Sequence, residues 1–408
     1  MTYWLGQSVS QVGTAVSYIA LPLVAVIFLH VDAFALGIIV AAEKLAPLVL
    51  GPIVGPLVDN VSRRALMLIA DWGRALLLGW IPIGATLHVL SVWHLPVIGF
   101  LVGALTMMFN LAGQAFLPRM IPTRALADGN GKLEASQSVA DVTGPGIASW
   151  LIALGGAPLA VGADAVSYVA SGCCIWRLRT RDADKSREPR THKGARKHLV
   201  AVWHLTASGF VMLWSDRVFR TVAVSRAVLN FFAQFQMSVY FLYLVDSLHL
   251  TPSSIGAIFA LSGVAGFFTA IGSKWFANRI GLGYIVVASQ SVSVLGGILL
   301  ASAFGSTLSA AAIILAGEVL FAMGMAMYGV GYSTLIQIRV PDEQRGRVSG
   351  ASRFMIAAAL PGASILGGVV GAAFGPRMPL IIGAAGMAVG VLGVARLASA
   401  LRADDLVP

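Results

Sequence analysis

Ionisable side chains stand inside long apolar stretches of this chain, among them Glu43, Lys44, Asp71, Arg74, Asp141, Asp164, Arg226, Glu318 and Arg353. In an apolar surrounding such groups are expensive, and they usually face a cavity or a partner. The chemistry open to them is proton or ion binding and the recognition of polar solutes. A carboxyl group is cheaper to bury protonated than ionised, so a buried carboxyl can carry a proton. Glu43, Asp141 and Glu318 are the proton-coupling candidates on that basis. Glu43 lies about ten residues into its stretch, near mid-depth at about 1.5 Å per residue. Lys44 beside it points about 100° away around a helix, so it is not an automatic partner. A structural salt bridge is the competing reading for Glu43. Asp141 lies one turn before Gly144-Pro145, and Glu318 is in the middle of its stretch. Asp71 and Arg74 are three apart on one helical face and can pair with each other. Asp164, near the end of its stretch, suits a cap or an interhelical bond.

The stretches that must position these groups are membrane spans. Of 408 residues, 57% are hydrophobic and only 11% charged, against about 25% charged in soluble domains. A soluble enzyme of this length would need a charged exterior that this chain lacks. Its 45 glycines suit helices that approach closely. A span needs about 20 mostly apolar residues. Twelve stretches qualify, near 5–28, 34–58, 65–88, 94–116, 134–156, 158–178, 218–245, 253–277, 283–304, 308–335, 350–373 and 377–400. The expected fold is an all-α membrane protein of twelve transmembrane helices. The first stretch has no charged segment before it and is read as a span rather than a cleavable signal.

Basic residues set the expected orientation. Arg63, Arg64, Arg119, Arg124, Lys132, Lys274, Arg279, Arg339, Arg345 and Arg347 follow even-numbered spans, and a dense basic run from Arg177 to Lys197 follows the sixth. Turns after odd-numbered spans carry no Lys or Arg except Arg377. The positive-inside rule then places both termini in the cytoplasm and the protein in the cell membrane. The net charge of +10 belongs to these loops, so nucleic acid is not an expected partner. Cys173 and Cys174 are adjacent, which disfavours a disulfide, and two cysteines cannot complete a structural zinc site. They are read as small packing residues. His30, His88, His94 and His249 fall at the predicted outer face with no metal-ligand spacing, so no metal site is expected.

The chain also repeats itself. Asn278-Arg279-Ile280-Gly281 echoes the stretch around Asp59, and Asn278 stands 219 residues after Asp59. Pro341 stands 219 after Pro122, and Pro361 stands 216 after Pro145. Three echoes at nearly one offset indicate a duplicated six-helix unit. The expected organisation is a bundle over 1–178, a cytoplasmic linker with an interfacial helix over 179–217, and a second, pseudo-symmetric six-helix bundle over 218–408. Within the linker, the interfacial helix is expected from about His198 to Trp214. Two such halves with a site at mid-membrane form a transporter architecture.

Gly55-Pro56-Leu57-Val58-Asp59-Asn60-Val61-Ser62-Arg63-Arg64 is read as a short charged turn between two spans. With Asp71-x-x-Arg74, Leu117-Pro118-Arg119, Gly144-Pro145, Asp164-x-x-Ser167-Tyr168 and Val340-Pro341-Asp342-Glu343-x-Arg345-Gly346-Arg347, it resembles the major facilitator superfamily. The branch indicated is the one that includes the enterobactin exporter and macrolide-efflux-like proteins. The resemblance implies a central cavity lined by spans 1, 4, 7 and 10. It makes Asn110, Gln114, Arg226, Asn230, Gln234 and Tyr328 substrate-contact candidates, together with Glu318, and Phe231 and Phe235 aromatic walls. The same residue types also serve as interhelical glue. It further implies a gate motif of Gly55, Asp59, Arg63 and Arg64, with Asn278 and Arg279 as the counterpart in the second half. Asn60 and Ser62 stand where the family usually has Arg and Gly, and the G-P-x-x-G-G stretch of antiporters is only partly kept at Gly144-Pro145-Gly146-Ile147-Ala148.

No phosphate-cradling G-x-x-x-x-G-K-[ST] occurs, so an ion gradient is the expected energy source. The expected function is secondary, proton-coupled efflux of small amphipathic compounds such as a drug, a secondary metabolite or a siderophore. The expected partners are a small-molecule substrate, protons and the lipid bilayer. The protein is expected to act as a monomer, without cofactors and not as an enzyme. The alternatives are an importer or a lipid carrier of the same fold, and a non-transporting membrane sensor.

Overall fold

A computed structural model describes residues 2–178, 208–280 and 282–398. Among them are α-helices and no strands. The long helices are α1 (Thr2–Leu23), α2 (Ala33–Asn60), α3 (Arg63–Thr86), α4 (His94–Met120) and α5 (Leu126–Arg177). They continue as α6 (Arg217–Leu242), α7 (Pro252–Ile280), α8 (Leu282–Ser302), α9 (Thr307–Arg339), α10 (Asp342–Phe374) and α11 (Arg377–Ala398). Among the described residues eleven segments are long and apolar enough to cross a membrane. One of them, Asp128–Arg177, has 50 residues. The chain leaves helical geometry there at Gly155 and Gly156, and Gly156 has a φ of 80°. That break divides α5 into two arms, each long enough for a crossing, which gives the twelve expected spans.

The chain divides into two compact units. The first comprises Met1–Val31 and Ala42–Val202, the second Asp32–Ala41 and Trp203–Pro408. In the first, α1 packs on α5, and α3 packs on α4 and α5. In the second, α6 packs on α10 and α11, while α8 packs on α9 and α11. These neighbours correspond between the two units: spans 1 and 7 pack on the paired spans 5–6 and 11–12, and spans 3 and 9 pack on 4 and 6 and on 10 and 12.

Backbone irregularities recur with them. α1 ends in a π-turn over Val24–Phe28 and α6 in a π-turn over Tyr243–Ser247, 219 residues later. Left-handed His30 and His249 follow at the same offset, with φ of 50° and 51°. Each turn closes with the same bonds: Val31 N donates to Ala25 O at 3.1 Å, and Leu250 N to Leu244 O at 2.9 Å. Each bond reaches back six residues, one more than the six-to-one bond of a Schellman closure, because the π-turn adds a residue, and a left-handed residue stands just before each donor. Asp32 then caps α2 through Ala35 N at 2.8 Å, and Thr251, its counterpart, accepts from Ser254 N. Left-handed His88 and Gly305, and Gly156 and Gly375, complete the correspondence. Every left-handed residue among those described thus lies in a turn after an odd-numbered span.

Small residues carry the close helix contacts, as expected where lipid supplies no hydrophobic drive between helices. A Cβ on Gly103 of α4 would come within 2.6 Å of Glu43 O on α2. On Gly144 a Cβ would overlap Ala15 of α1, whereas on Gly146 it meets nothing within 4 Å. Gly144→Val is therefore expected to cost about 1–3 kcal/mol of stability by overpacking. It should lower the midpoint of thermal unfolding of the purified protein, while Gly146→Val leaves it nearly unchanged. Equal midpoints in the two variants would exclude the contact. Cys174 packs beside Gly6 of α1, and both cysteines are free.

Two details differ from the sequence expectation. Gly55–Asn60 is the last part of α2 rather than a turn; only Val61 and Ser62 separate α2 from α3. Ser62 breaks the run because its hydroxyl accepts from Ala65 N at 3.4 Å and caps α3. Most of the expected linker, including Arg179–Lys197, lies outside the described residues. Of the expected interfacial helix, residues 208–214 are described, and they are helical. Leu213 is fully buried there, and Phe210 meets Phe354 of α10 edge-on at 6.3 Å. That segment is tied to the bundle by packing as well as by its amphipathic character.

Candidate transport sites in the two units

The first unit holds a buried charge pair. Arg74 Nη2 lies 2.5 Å from Asp71 Oδ1, and the two residues are 3% and 0% exposed. The guanidinium is sandwiched, 4.0 Å from the centre of the Tyr168 ring and 4.6 Å from that of Phe109. Its Nη1 reaches Thr106 of α4 at 3.4 Å, and its Nε reaches Ala70 O at 3.3 Å. Tyr168 is held in turn by Thr14 of α1 at 2.8 Å. One turn before Tyr168, Asp164 is buried, accepts from Ser167 at 3.0 Å, and has the Ser17 hydroxyl of α1 facing it. Helices α1, α3, α4 and the second arm of α5 are locked together around these groups. Both expectations for these acids are met: Asp71 pairs with Arg74, and Asp164 works between helices. The aromatic sandwich was not legible, because Phe109 and Tyr168 come from different helices.

Glu43 and Lys44 do meet, at 2.9 Å. Neighbouring Cβ atoms diverge around the helix, but a four-carbon side chain is long enough to fold back onto the preceding carboxylate. Asp141 is exposed and accepts from Gln137 one turn earlier at 2.8 Å. Asn110 and Gln114 are both exposed on α4, one turn apart. Arg64 donates to Ile175 O at 3.2 Å and also to Trp176 O. It therefore covers the carbonyl end of α5, where a cation is favoured. The side chains of Gly55, Asp59 and Asn278 lie outside the described residues. Arg279 stacks over the Trp275 ring at 4.5 Å.

The second unit carries its polar groups on facing stripes of α6 and α9. Arg226, Asn230 and Gln234 follow one another at helical spacing on α6. On α9, Met325 and Tyr328 stand across from Arg226, Glu318 across from Tyr240, and Tyr332 beside Tyr328. Arg226 is 7% exposed, with its guanidinium carbon 3.9 Å from the centre of the Tyr328 ring. Tyr332 stacks on Tyr328, with centres 5.5 Å apart. Asn230 donates to Arg226 O at 2.8 Å, and Gln234 to Ser364 of α10 at 2.9 Å. Glu318 is 9% exposed and faces the Tyr240 hydroxyl of α6. Arg226 and Tyr328 therefore meet where α6 faces α9, the seam that also holds Glu318, while Asn230 bonds back to α6 and Gln234 reaches α10. Phe235 is buried where α6 meets Gly367 of α10, and Phe231 packs on Phe232 and Phe235. Sequence reasoning missed Met325, which receives Arg226 Nη2 at 3.1 Å, because a thioether in an apolar run gives no polar signal. Among the described residues no three His, Cys, Asp or Glu side chains come together as a metal site would require.

A family model described as Major Facilitator Superfamily matches residues 3–362. The chain belongs to the Major Facilitator Superfamily. It is a multi-pass membrane protein and a transporter of small molecules, not an enzyme. Among curated relatives it is 28% identical over 382 residues to the multidrug efflux pump Tap of Mycobacterium tuberculosis (strain ATCC 25618 / H37Rv), covering 91% of this chain and 86% of that one. It is 24% identical over 376 residues to the uncharacterized MFS-type transporter YfiS of Bacillus subtilis (strain 168), covering 90% and 84%. Among solved structures it matches the nucleoside transporter NupG with a TM-score of 0.74 at 12% identity, covering 97% and 98%. A bacterial homologue of the iron transporter ferroportin matches with a TM-score of 0.73 at 17% identity, covering 98% of each chain. At these identities the structural likenesses show the superfamily's fold, and they leave substrate and direction to the chemistry of the seam.

Proposed function

We propose that this superfamily member is a proton-coupled exporter of small amphipathic compounds, working by alternating access in the cell membrane. On this reading both termini are cytoplasmic, the functional unit is one chain, and the domains are the bundles over 1–178 and 218–408 joined by 179–217. Protons enter as substrate leaves, which makes the protein an antiporter. The observation that carries the reading is Glu318, an acid enclosed in a membrane span and faced by Tyr240 rather than by a cation. Such a group can exchange a proton with little rearrangement of its neighbours. Glu43 is the weaker proton carrier, since Lys44 already neutralises it. Asp141, exposed and bonded to Gln137, stays a candidate. The likeness to Tap, a multidrug efflux pump, supports efflux of a drug-like cargo. Asn110, Gln114, Arg226, Asn230, Gln234 and Tyr328 are assigned to substrate contact.

Flux in proteoliposomes tests the coupling. An imposed pH gradient should drive dye or drug accumulation, and collapsing it with an ionophore should stop accumulation. Flux that ignores the gradient rejects proton coupling. The gate role of Gly55, Asp59, Arg63 and Arg64, with Asn278 and Arg279, is a separate part of the proposal. Asp59→Asn is expected to abolish flux while the protein still reaches the membrane in normal amount. Unchanged flux in that variant removes the gate.

A further inference from the structure

Among the described residues two arginines are buried on aromatic shelves, and only one of them has a counter-ion there. Arg74 lies over Tyr168 and Phe109 with Asp71 at 2.5 Å. Arg226 lies over Tyr328, equally enclosed, and no carboxylate among the described residues comes within 4 Å of it. The acids of the second unit whose side chains are described all stand elsewhere. Asp32 and Asp216 cap the starts of α2 and α6. Asp246 is exposed in the turn after α6. Glu318 faces Tyr240, and it stands ten residues before Tyr328 on α9, or about 15 Å along the axis. What Arg226 does contact is soft: the Tyr328 ring and the Met325 sulfur. Its Nη1 is buried and has no hydrogen-bond partner among the described residues.

A guanidinium cannot shed its charge, so burial does not neutralise it as it can a lysine or a carboxyl. An uncompensated buried charge is strongly destabilising. A protein that keeps one on a rigid shelf, beside half-buried Asn230 and Gln234, is arranged to receive the missing charge from outside the chain. We infer that Arg226 is an anion-binding site and that the transported compound carries an acidic group, a carboxylate, sulfonate or phosphate, on a hydrophobic or aromatic body. The acid would take the free edge of the guanidinium. Tyr328, Met325 and the α6 aromatic residues supply surface for the body. The inference rests on reading these residues as the substrate site.

The test is binding by calorimetry to the purified full-length protein in nanodiscs of phosphatidylcholine, a lipid without net charge. The probes are 2-naphthoate and its uncharged match, 2-naphthamide. A charge-assisted hydrogen bond is worth about tenfold or more in affinity. Wild type should bind the naphthoate at least that much tighter, Arg226→Gln should bind both probes alike, and Arg226→Lys should keep part of the preference. Wild type that treats the probes alike, by binding both or neither, overturns the inference, as does a preference that survives in Arg226→Gln. Should Arg226→Gln fail to fold, wild type and Arg226→Lys decide the matter. Naphthoate preference in a protein that shows no gradient-driven flux would sink the export reading and leave the anion site standing. Gradient-driven flux without the preference would do the reverse.

Discussion

Arg74→Met is expected to destabilise the protein by about 3–5 kcal/mol, the usual result of removing one partner from a buried ion pair. Asp71 is fully enclosed, and no other cation is paired with it among the described residues. The arginine also contributes its contacts with Phe109 and Tyr168, which are worth up to about 2 kcal/mol when desolvated. Because the pair ties α3 to α4 and to the second arm of α5, the loss should appear as a lower unfolding midpoint and a smaller yield of folded protein. Replacing both residues, Asp71→Leu with Arg74→Met, should recover most of the stability, since a buried pair and an apolar pair of similar volume are often equivalent. The double variant should also retain flux, because the pair is assigned to structure. A stable Arg74→Met variant would mean that Asp71 is not held as an ion pair. A stable double variant without flux would move the pair from structure to mechanism.

Glu318→Gln is expected to uncouple transport. Glutamine keeps the size of the side chain and can still meet the Tyr240 hydroxyl, so folding should be intact. It cannot release a proton. A one-to-one exchange against a gradient of one pH unit supports about a tenfold concentration ratio of substrate. In Glu318→Gln that ratio should fall to about one, while counterflow of substrate down its own gradient persists. Full accumulation by the variant would take proton carriage away from Glu318 and pass it to Asp141 or Glu43, whose own Gln or Asn variants can be measured in the same vesicles.

The two experiments separate the two kinds of buried acid in this protein. Asp71 has its cation within the same helix turn, an arrangement that Asp71-x-x-Arg74 announces by spacing alone. Glu318 has no such signal nearby in sequence. Its neighbour Tyr240 is on another helix, and the pairing follows from how α6 and α9 face each other. Glu43 shows the limit of arguing from helical angle: the Cβ vectors diverge, but the reach of Lys44 decides the contact. Asp59 and Asn278 were singled out by motif, and their backbone lies at the ends of α2 and α7.

From its residues alone the chain determined its class, its spans and its duplication. Length and charge depletion are enough for spans, because lipid cannot satisfy a broken backbone and each apolar run must close its own hydrogen bonds as a helix. The duplication was legible because turn residues repeat at one offset, and the recurring π-turns and left-handed His30 and His249 follow it. Tertiary structure decided which polar residues meet. Arg74 has Asp71 three residues before it in sequence, whereas Arg226 stands in an apolar run with no acid at helical spacing. Only packing shows that Arg74 lies between Phe109 and Tyr168, and that Arg226 rests on Tyr328 with no acid beside it among the described residues, because these contacts depend on which faces of separate helices come together.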